Sequence, residues 1–480
     1  MWRLAVGPSP AILATFFVLL GFVANAIPLA VLWRPLAICI LLALVIQACL
    51  VRWLGWGRGS LWSFVVVSAL AGMFVVAGSV AFALISFGFV RSAPGRDYEL
   101  AGALTSVGAG VLLVGLLVIG QTRDAFEWDP IATQRIELQS GSVGPSIHLL
   151  VVDGYPRQDV LRDIGFDNTP FLDGLRNRGF DVYEDSHSNY ARTPFSMLSM
   201  LSLRHLSDID PLWSSTPADS GDEQRRIVAR ALMDAPVFAA LEQAGYSTRA
   251  LTSTIVHVPI GGADVTVTPG GANNFELSML QRTPLAGLLE ALGFAAGQQR
   301  TNITQTLEAF GTAPEEPTFT IAHVMAPHAP FVFGTDGAPA SAPPCYPATC
   351  ALFDHGVDVL GWSSTEYWQR MTGHLQYINE LVLRAADRLI TDDPEAIVII
   401  TSDHGVDGDT DDVLYRNLIT ARTPGHPHLL GVAPTPVNLM IDVLNAYLDA
   451  DLPRQPDTLY RSGRAWLSVE PIPPADLETH

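Results

Sequence analysis

Two segments of the sequence place carboxylate and imidazole side chains just after apolar runs. Asp153 follows the run Ile147–Val152, and the pair Asp403 and His404 follows the run Ala396–Thr401. In both segments a glycine comes next, which permits a sharp turn of the backbone. Asp and His together suit Zn²⁺, Mn²⁺ or Mg²⁺. A single Asp at such a place can simply cap a helix or turn, so it is the combination that indicates a metal site.

A third segment contains a hydroxyl group in a position that suits a nucleophile. Thr193 precedes Pro194 at the start of a predicted helix. Thr at the N-cap with Pro at the first helical position is also an ordinary way to begin a helix. A nucleophile would gain from the same position, because the N–H groups and the positive end of the helix dipole stabilise an alkoxide and a bound phosphate. The segment alone leaves both interpretations open.

The fourth segment is a predicted strand that runs into a proline-rich loop. His323 lies in the strand, and His328 lies between Pro327 and Pro330. A His flanked by prolines in this way cannot belong to a regular helix or a central strand. We therefore expect His328 on a stiff loop at the edge of the sheet. The alternative is a packed or solvated loop His without a chemical role.

The elements that must position these residues alternate between strand and helix patterns. Short β-rich apolar runs indicate buried strands at 147–152, 318–324 and 396–401, and amphipathic patterns indicate helices at 171–178, 237–244 and 377–390. This alternation predicts an α/β domain with a mainly parallel central sheet flanked by helices. Ligands of such folds bind beyond the carboxyl ends of the strands, which is where the candidate residues lie.

The beginning of the chain is much more apolar than the rest. Its mean hydropathy is +0.27 overall, and 16% of its residues are charged, against about 25% in a typical soluble domain. Four stretches approach the about 20 apolar residues that span a bilayer, at 11–32, 36–51, 61–89 and 101–120. We therefore predict a multi-span helical membrane domain over 1–122, a polar linker over 123–144 and the α/β domain over 145–480. The first stretch also resembles a signal peptide, although its apolar character continues past the A-x-A pattern.

Charge and cysteine content limit the partners and the compartment. The formal net charge is -20, which disfavours nucleic acid as a partner. The Arg residues between the predicted spans divide evenly between the two sides, so the positive-inside rule does not orient the chain. Cys345 and Cys350 lie close together in a loop. They predict either a short disulfide in an oxidising compartment or two free thiols.

Taken in this order, the four segments resemble the alkaline phosphatase/sulfatase superfamily, in particular its membrane-anchored branch, which includes lipoteichoic acid synthase and the phosphoethanolamine transferases. The resemblance extends from about His148 to Tyr460. It includes Asn168–Leu172 ahead of Gly179 and Phe180, and Thr435–Leu439 near the end of the chain. The resemblance implies a sulfatase-like α/β domain that carries the catalytic site.

The resemblance also implies a metal site with a covalent nucleophile. Asp153, Asp403 and His404 would hold one divalent ion, Mn²⁺, Zn²⁺ or Mg²⁺ rather than Ca²⁺. Thr193 would be both the fourth ligand and the nucleophile, and it would form a phospho-threonine intermediate. His328 would bind the substrate or transfer a proton.

Three further residues would lie on the phosphate side of this site by the same resemblance. They are Asn189, Arg192 and His323. The resemblance implies that they assist in binding the substrate.

Two departures from the family pattern narrow the expected substrate class and the expected number of metal ions. Sulfatases use a Cys or Ser in a Cys/Ser-x-Pro-x-Arg motif, whereas Thr193–Ser196 reads Thr-Pro-Phe-Ser and lacks both the convertible residue and the Arg. This departure favours phosphoester chemistry over sulfate ester hydrolysis. Two-metal relatives add an Asp-x-x-x-His pair, which is missing here, and a later His that His426 or His428 could supply. We therefore expect one metal ion.

These observations predict a membrane-anchored phosphotransferase or phosphodiesterase that acts on a membrane lipid or an envelope glycan phosphoester. The chain would be a multi-pass protein of the cell membrane, with its catalytic domain outside the cytoplasm and with no obligate protein partner. One alternative is a sulfuric ester hydrolase. A second alternative is a catalytically idle protein that keeps the fold for assembly or regulation. The retention of Asp153, Thr193, Asp403 and His404 counts against the idle alternative.

Overall fold

The structure is a computed structural model, and it describes two compact units of the chain. These are Met1–Asp129 with Ser278–Gly287, and Pro130–Leu277 with Leu288–His480. Its described residues are 143–209, 221–255, 258–281, 286–340, 362–406, 411–462 and 469–472, with single residues or short pieces at 37, 41, 44–46, 48–49, 52–53, 136 and 138. Those that belong to the first unit are helical.

Most of the predicted membrane region lies outside the described residues. The stretches 11–32, 61–89 and 101–120 fall there entirely, as do Cys345 and Cys350, and 36–51 is described only at scattered helical positions. Most of the predicted linker over 123–144 falls there too. Among the residues that are described, no helix combines the length and the apolar character needed to cross a bilayer.

The second unit is built around a twisted sheet. Within the described residues this sheet has seven strands in the order β2-β7-β6-β1-β5-β3-β4. The strands are β1 Ile147–Val152, β2 Asp181–Tyr183, β3 Ser247–Leu251, β4 Val265–Val267, β5 Thr318–Val324, β6 Ile397–Thr401 and β7 Ile419–Arg422, and a separate hairpin pairs β8 Tyr460–Ser462 with β9 Val469–Pro471. Strands β6, β1, β5, β3 and β4 are parallel to one another. Strand β7 is antiparallel to both β6 and β2, so the predicted mainly parallel sheet is confirmed.

Helices connect these strands. They are α1 Gln158–Asp163, α2 Thr169–Arg176, α3 Thr193–Ser202, α4 Gly221–Met233, α5 Pro236–Ala244, α6 Asn274–Gln281, α7 Ala286–Ala291, α8 Phe294–Phe310, α9 Ser364–Asp392 and α10 Pro436–Leu448, with short 3-10 turns at Leu206–Asp208 and Asp411–Leu414. Strands β1 and β5 have the predicted bounds, and β6 begins one residue later than predicted. The helix predicted at 171–178 overlaps α2 but extends two residues past its end, and those predicted at 237–244 and 377–390 lie within α5 and α9.

Strand β1 lies at the centre of the sheet and is buried on both faces. Leu150 and Val152 belong to a core cluster that also contains side chains of α2, α8 and α9. Leu149 and Val151 are equally buried, and successive side chains of a strand point to opposite faces. Apolar side chains on both faces stabilise the centre of the sheet by about 25 cal/mol per Å² of apolar surface removed from water.

The register of the central strands brings their carboxyl ends together. Val152 of β1 pairs with Val324 of β5, and Val151 pairs with Thr401 of β6. The residues that follow these three strands therefore emerge at one edge of the sheet. Asp153 follows β1, Asp403 and His404 follow β6, and His328 follows β5.

Candidate active site

Asp153, Asp403 and His404 come together at the carboxyl edge of the sheet. One ligand atom from each of the three lies within 4.8 Å of the other two. The Nε2 atom of His404 is 3.7 Å from Oδ1 of Asp153 and 3.4 Å from Oδ2 of Asp403. Ligand atoms that share a tetrahedral ion at about 2.1 Å are about 3.4 Å apart. The three side chains therefore have the spacing of a metal site.

The burial of the two carboxylates fits a cation at this place. Asp153 and Asp403 are both 0% exposed. Within the described part of the chain, Oδ2 of Asp403 has no hydrogen bond, and the oxygens of Asp153 face Nε2 of His323 at 3.3 Å and Nε2 of His404 at 3.7 Å. Buried charges are costly unless they are paired or coordinate a metal, so these oxygens match the ligands of a divalent ion.

The backbone fixes how Asp403 and His404 are presented. The N–H of Gly154 donates to Oδ1 of Asp403 at 3.0 Å, which leaves Oδ2 directed toward His404. Nδ1 of His404 lies 2.6 Å from the carbonyl oxygen of Gly405. A carbonyl can only accept, so Nδ1 carries the proton and the lone pair of His404 is on Nε2, the atom that faces both carboxylates.

Thr193 reaches the same group of side chains from helix α3. Its Oγ1 lies 3.2 Å from Nε2 of His404. The sequence predicted Thr193 as the N-cap of this helix, and this is wrong by one residue. Arg192, with extended backbone angles, is the N-cap, and Thr193 is the first helical residue, followed by Pro194. Pro is tolerated in the first turn, where its missing N–H costs no helical hydrogen bond. The hydroxyl therefore lies at the positive end of a ten-residue helix.

His323 contacts the buried carboxylate from the neighbouring strand. Its Nε2 lies 3.3 Å from Oδ2 of Asp153, and both side chains are fully buried. Burial raises the pKa of the Asp153 carboxyl, but the imidazoles of His328, His323 and His404 lower it by more. The pKa of Asp153 therefore lies below its ordinary value, and the carboxyl is held in its ionised, metal-binding form.

His328 is held beside Asp153 by its backbone. Its N–H donates to the carbonyl oxygen of Asp153 at 3.0 Å. Its Nδ1 lies 2.5 Å from the carbonyl oxygen of Ala329, so the proton is on Nδ1 and the lone pair is on Nε2. The structure thus brings His328 to the same edge of the sheet as the three metal-ligand candidates.

Asn189 and Arg192 have different surroundings. Oδ1 of Asn189 accepts from the N–H of Val437 at 3.0 Å, and its Nδ2 donates to the carbonyl oxygen of Thr458 at 3.1 Å. Both ends of this buried amide therefore bind main-chain groups. Arg192 is exposed, and the described part of the chain offers its guanidinium no hydrogen bond or ion pair. It is therefore available to a ligand arriving from solvent.

The two later histidines lie away from this edge. His428 is 80% exposed and pairs with Asp181 at 3.0 Å. His426 is exposed and packs edge-on against Tyr447, with ring centroids 4.7 Å apart. Strand β7 ends at Arg422, which pairs with Val398 near the amino end of β6, so both histidines follow β7 at the edge of the sheet opposite the three ligand candidates.

Two serine hydroxyls near the site were not identified from the sequence. The hydroxyl of Ser196 lies 2.6 Å from the main-chain oxygen of Asp403, and Ser253 lies 2.9 Å from Nδ1 of His323. Ser196 is within the Thr-Pro-Phe-Ser segment, so its spacing of one helical turn from Thr193 was a usable signal. Ser253 lies in a loop after β3 and has no such signal.

The comparisons with known proteins agree with the fold. The Sulfatase family model matches residues 149–428. No curated protein matches the sequence. Among solved structures, the C-terminal periplasmic domain of EptC from Escherichia coli matches 72% of this chain and 96% of that domain, at 14% identity and a TM-score of 0.44.

Two more solved structures show the range of similar proteins. The soluble domain of lipooligosaccharide phosphoethanolamine transferase A from Neisseria meningitidis matches 65% of this chain and 93% of that domain, at 11% identity and a TM-score of 0.36. The putative sulfatase yidJ from Bacteroides fragilis matches 66% of this chain and 76% of that protein, at 14% identity and a TM-score of 0.38. These values are low, so the assignment rests on the family model, which covers more than half of the sequence and the described sheet. The chain therefore belongs to the sulfatase family, within the alkaline phosphatase/sulfatase superfamily.

Proposed function

We propose that this chain is a metal-dependent phosphotransferase or phosphodiesterase that transfers or hydrolyses the phosphorylated head group of a membrane lipid or an envelope glycan phosphoester. The observation that carries the proposal is the distance of 3.2 Å between Thr193 Oγ1 and His404 Nε2. This distance brings a hydroxyl at the positive end of a helix into the same group as two buried carboxylates. Such a group of side chains suits phosphoryl transfer, which depends mainly on positioning and on stabilisation of charge.

Asp153, Asp403, His404 and Thr193 would hold the divalent ion. When bound, this ion would lower the pKa of the Thr193 hydroxyl and neutralise charge on the phosphoryl oxygens. The hydrogen bond from Gly154 to Asp403 and that from His404 Nδ1 to Gly405 keep the ligand atoms directed inward. The choice among Mn²⁺, Zn²⁺ and Mg²⁺ follows from carboxylate, imidazole and hydroxyl as donors.

The chain's own residues account for both halves of the reaction. Thr193 Oγ1 reacts in its ionised form, and the second half of the reaction releases it in that same form. It forms a bond to phosphorus while the bond from phosphorus to the leaving oxygen breaks, which gives a phospho-threonine intermediate. His328, in its protonated form, gives a proton to the leaving oxygen. An alcohol or water then attacks phosphorus, gives its proton to His328 and releases Thr193.

Arg192 and the helix start would bind the phosphoryl group. The guanidinium of Arg192 adjoins Thr193 in the chain and is exposed, and Arg pairs well with phosphate oxygens. No side chain caps the start of α3, so the positive end of the helix remains available to an anion. His323 and Asn189 would support the site, His323 through Asp153 and Asn189 through the backbone around it.

The membrane part of the proposal rests on the sequence. The four apolar stretches between 11 and 120 would anchor the enzyme in the cell membrane and leave the catalytic domain outside the cytoplasm. An anchored site meets a lipid substrate at a raised effective concentration. A lipid donor is therefore the first substrate to test.

Sulfate ester hydrolysis is the second candidate function, because the family model is named for it. The residue at the nucleophile position favours phosphate, since Thr193 is neither Cys nor Ser. Ser196, which is a serine in the same segment, binds the main-chain oxygen of Asp403 and is not presented to the site.

Intact-mass measurement tests the proposal. The full 480-residue chain is loaded with Mn²⁺ or Zn²⁺ and incubated with lipid extract, beside the variants Thr193→Ala and Thr193→Ser. We expect a mass gain equal to the transferred group in the wild type, a smaller gain in Thr193→Ser, and none in Thr193→Ala. Release of sulfate from sulfate esters would support the sulfatase instead. If no adduct formed and no phosphoester or sulfate ester were turned over, the result would support the alternative that the protein is catalytically idle.

A further inference from the structure

We infer that Ser253 is a positioning residue for the metal site, and that it acts through His323 to orient the carboxylate of Asp153. The inference rests on the proposed function, since it assigns a metal ligand role to Asp153. It adds to the site a residue that follows strand β3. Neither the family resemblance nor the motif around Asp153 points to Ser253.

The contacts form one chain across three neighbouring strands. Ser253 lies just after β3, His323 lies in β5, and Asp153 follows β1, and these strands are adjacent in the sheet. Ser253 Oγ is 2.9 Å from Nδ1 of His323. On the other side of the same ring, Nε2 of His323 is 3.3 Å from Oδ2 of Asp153.

The groups on the two sides of the His323 ring determine which of its nitrogens carries the proton. The N–H of Ile255 lies 3.4 Å from Ser253 Oγ and donates to it. On the other side of the ring, the ionised carboxylate of Asp153 can only accept, so Nε2 of His323 carries the proton and Nδ1 accepts from the Ser253 hydroxyl. A neutral imidazole that accepts at Nδ1 carries its proton at Nε2, and this N–H faces the carboxylate.

The carboxylate of Asp153 depends on this N–H for its orientation. Asp153 is fully buried, and Nε2 of His323 lies 3.3 Å from its Oδ2, so the ring of His323 limits the rotation of the carboxylate from the β5 side. Loss of Ser253 would allow the proton of His323 to move to Nδ1, and a lone pair would then face a carboxylate oxygen. Partners that orient metal ligands in this way typically contribute 10- to 100-fold to metal affinity.

The closing experiment measures Mn²⁺ affinity directly, together with the visible absorption spectrum of the Co²⁺-loaded protein. It uses the full 480-residue chain, four single variants and the double variant Ser253→Ala with His323→Gln. Ser253→Ala removes the hydroxyl, His323→Gln keeps a donor near the Nε2 position, and His323→Asn keeps a group only near Nδ1. The matched control is Thr252→Val, which removes a neighbouring buried hydroxyl that bonds Thr268 at 2.6 Å.

We expect Ser253→Ala to weaken Mn²⁺ binding about tenfold and His323→Asn about 10- to 100-fold. The Mn²⁺ affinities of His323→Gln and Thr252→Val should stay within about threefold of that of the wild type. The Co²⁺ spectrum should change in Ser253→Ala and His323→Asn only. Because Ser253 acts through His323, adding Ser253→Ala to His323→Gln should cause no further loss.

Two results would overturn this inference alone. They are an unchanged Mn²⁺ affinity in Ser253→Ala, and an equal loss when Ser253→Ala is made in the wild type and in His323→Gln. A wild-type chain that binds neither Mn²⁺ nor Co²⁺ would overturn the proposed function as well. The affinity of the wild type therefore distinguishes the two failures.

Discussion

The hydroxyl of Ser196 lies 2.6 Å from the main-chain oxygen of Asp403, and this contact joins the helix of the candidate nucleophile to the loop of the metal ligands. Ser188 approaches the same oxygen to 2.5 Å and lies 3.1 Å from Ser196. Helix α3 begins at Thr193, one turn before Ser196. The distance between Thr193 and His404 is therefore set by hydroxyl contacts between the two segments as well as by the sheet.

Replacement of Ser196 by alanine should loosen this connection. A buried hydrogen bond contributes about 0.5–1.5 kcal/mol to stability, so Ser196→Ala should lower the free energy of unfolding by about that amount. Its transfer activity should fall further than its stability suggests, because the Thr193 hydroxyl is no longer held against His404. Ser199→Ala is a matched control in the same helix, since Ser199 Oγ donates to the carbonyl oxygen of Arg204 at 2.8 Å, away from the metal ligands. Equal activity in the two variants would contradict this prediction.

Removal of the metal should destabilise the protein, because it leaves two buried carboxylates without a cation. A ligand at about 100 times its dissociation constant stabilises the folded state by about 2.7 kcal/mol, so chelation should lower the melting temperature of the wild type. Asp403→Asn should show no such response to the chelator. Without metal, the melting temperature of Asp403→Asn should equal or exceed that of the metal-free wild type. The substitution removes a buried negative charge whose Oδ2 atom has no hydrogen bond within the described residues. If the chelator left the melting temperature of the wild type unchanged, this result would contradict the proposed metal site.

Gly405 should tolerate no side chain. A Cβ atom there would overlap the main-chain oxygen of Val413 and lie 2.9 Å from that of Arg416. The carbonyl of Gly405 also holds the ring of His404, so any shift of this backbone moves a metal ligand. We expect Gly405→Ala to lower stability by about 1–3 kcal/mol and to weaken Mn²⁺ binding by at least about tenfold, as measured by urea unfolding and by titration. Gly297→Ala is the control, because its Cβ would meet only the end of the Arg300 side chain at 3.8 Å, and it should be neutral or stabilising.

The buried central strands and the place of the site were open to prediction because they depend on contiguous patterns. An uninterrupted apolar run such as Ile147–Val152 indicates a strand buried on both faces, and parallel strands bring Asp153 and Asp403 to one edge. The three-residue strands β2 and β4 were not predicted, since three residues are too few for a periodic pattern. The roles of Ser196 and Ser253 were not predicted either. Their partners lie far away along the chain. Only Ser196, one helical turn after Thr193, carried a signal in its spacing, and Ser253 carried none.

The stability of the α/β domain should fall in acid because of a buried histidine that lies outside the active site. His374 is in α9 with its ring 5.7 Å from that of Phe333, and the described residues offer neither of its ring nitrogens a hydrogen bond. Burial lowers the pKa of His374 to about 3, so below pH 6.5 the unfolded chain binds a proton that the folded chain does not. The free energy of unfolding should therefore fall as the pH drops from about 6.5 to 3, by up to about 1.4 kcal/mol per pH unit. Urea unfolding between pH 7 and pH 4 should show a shallower fall in His374→Leu. Some loss of stability in acid should remain in this variant, because burial also lowers the pKa of His148 to about 3. If the free energy of unfolding fell as steeply with pH in His374→Leu as in the wild type, the prediction for His374 would be wrong.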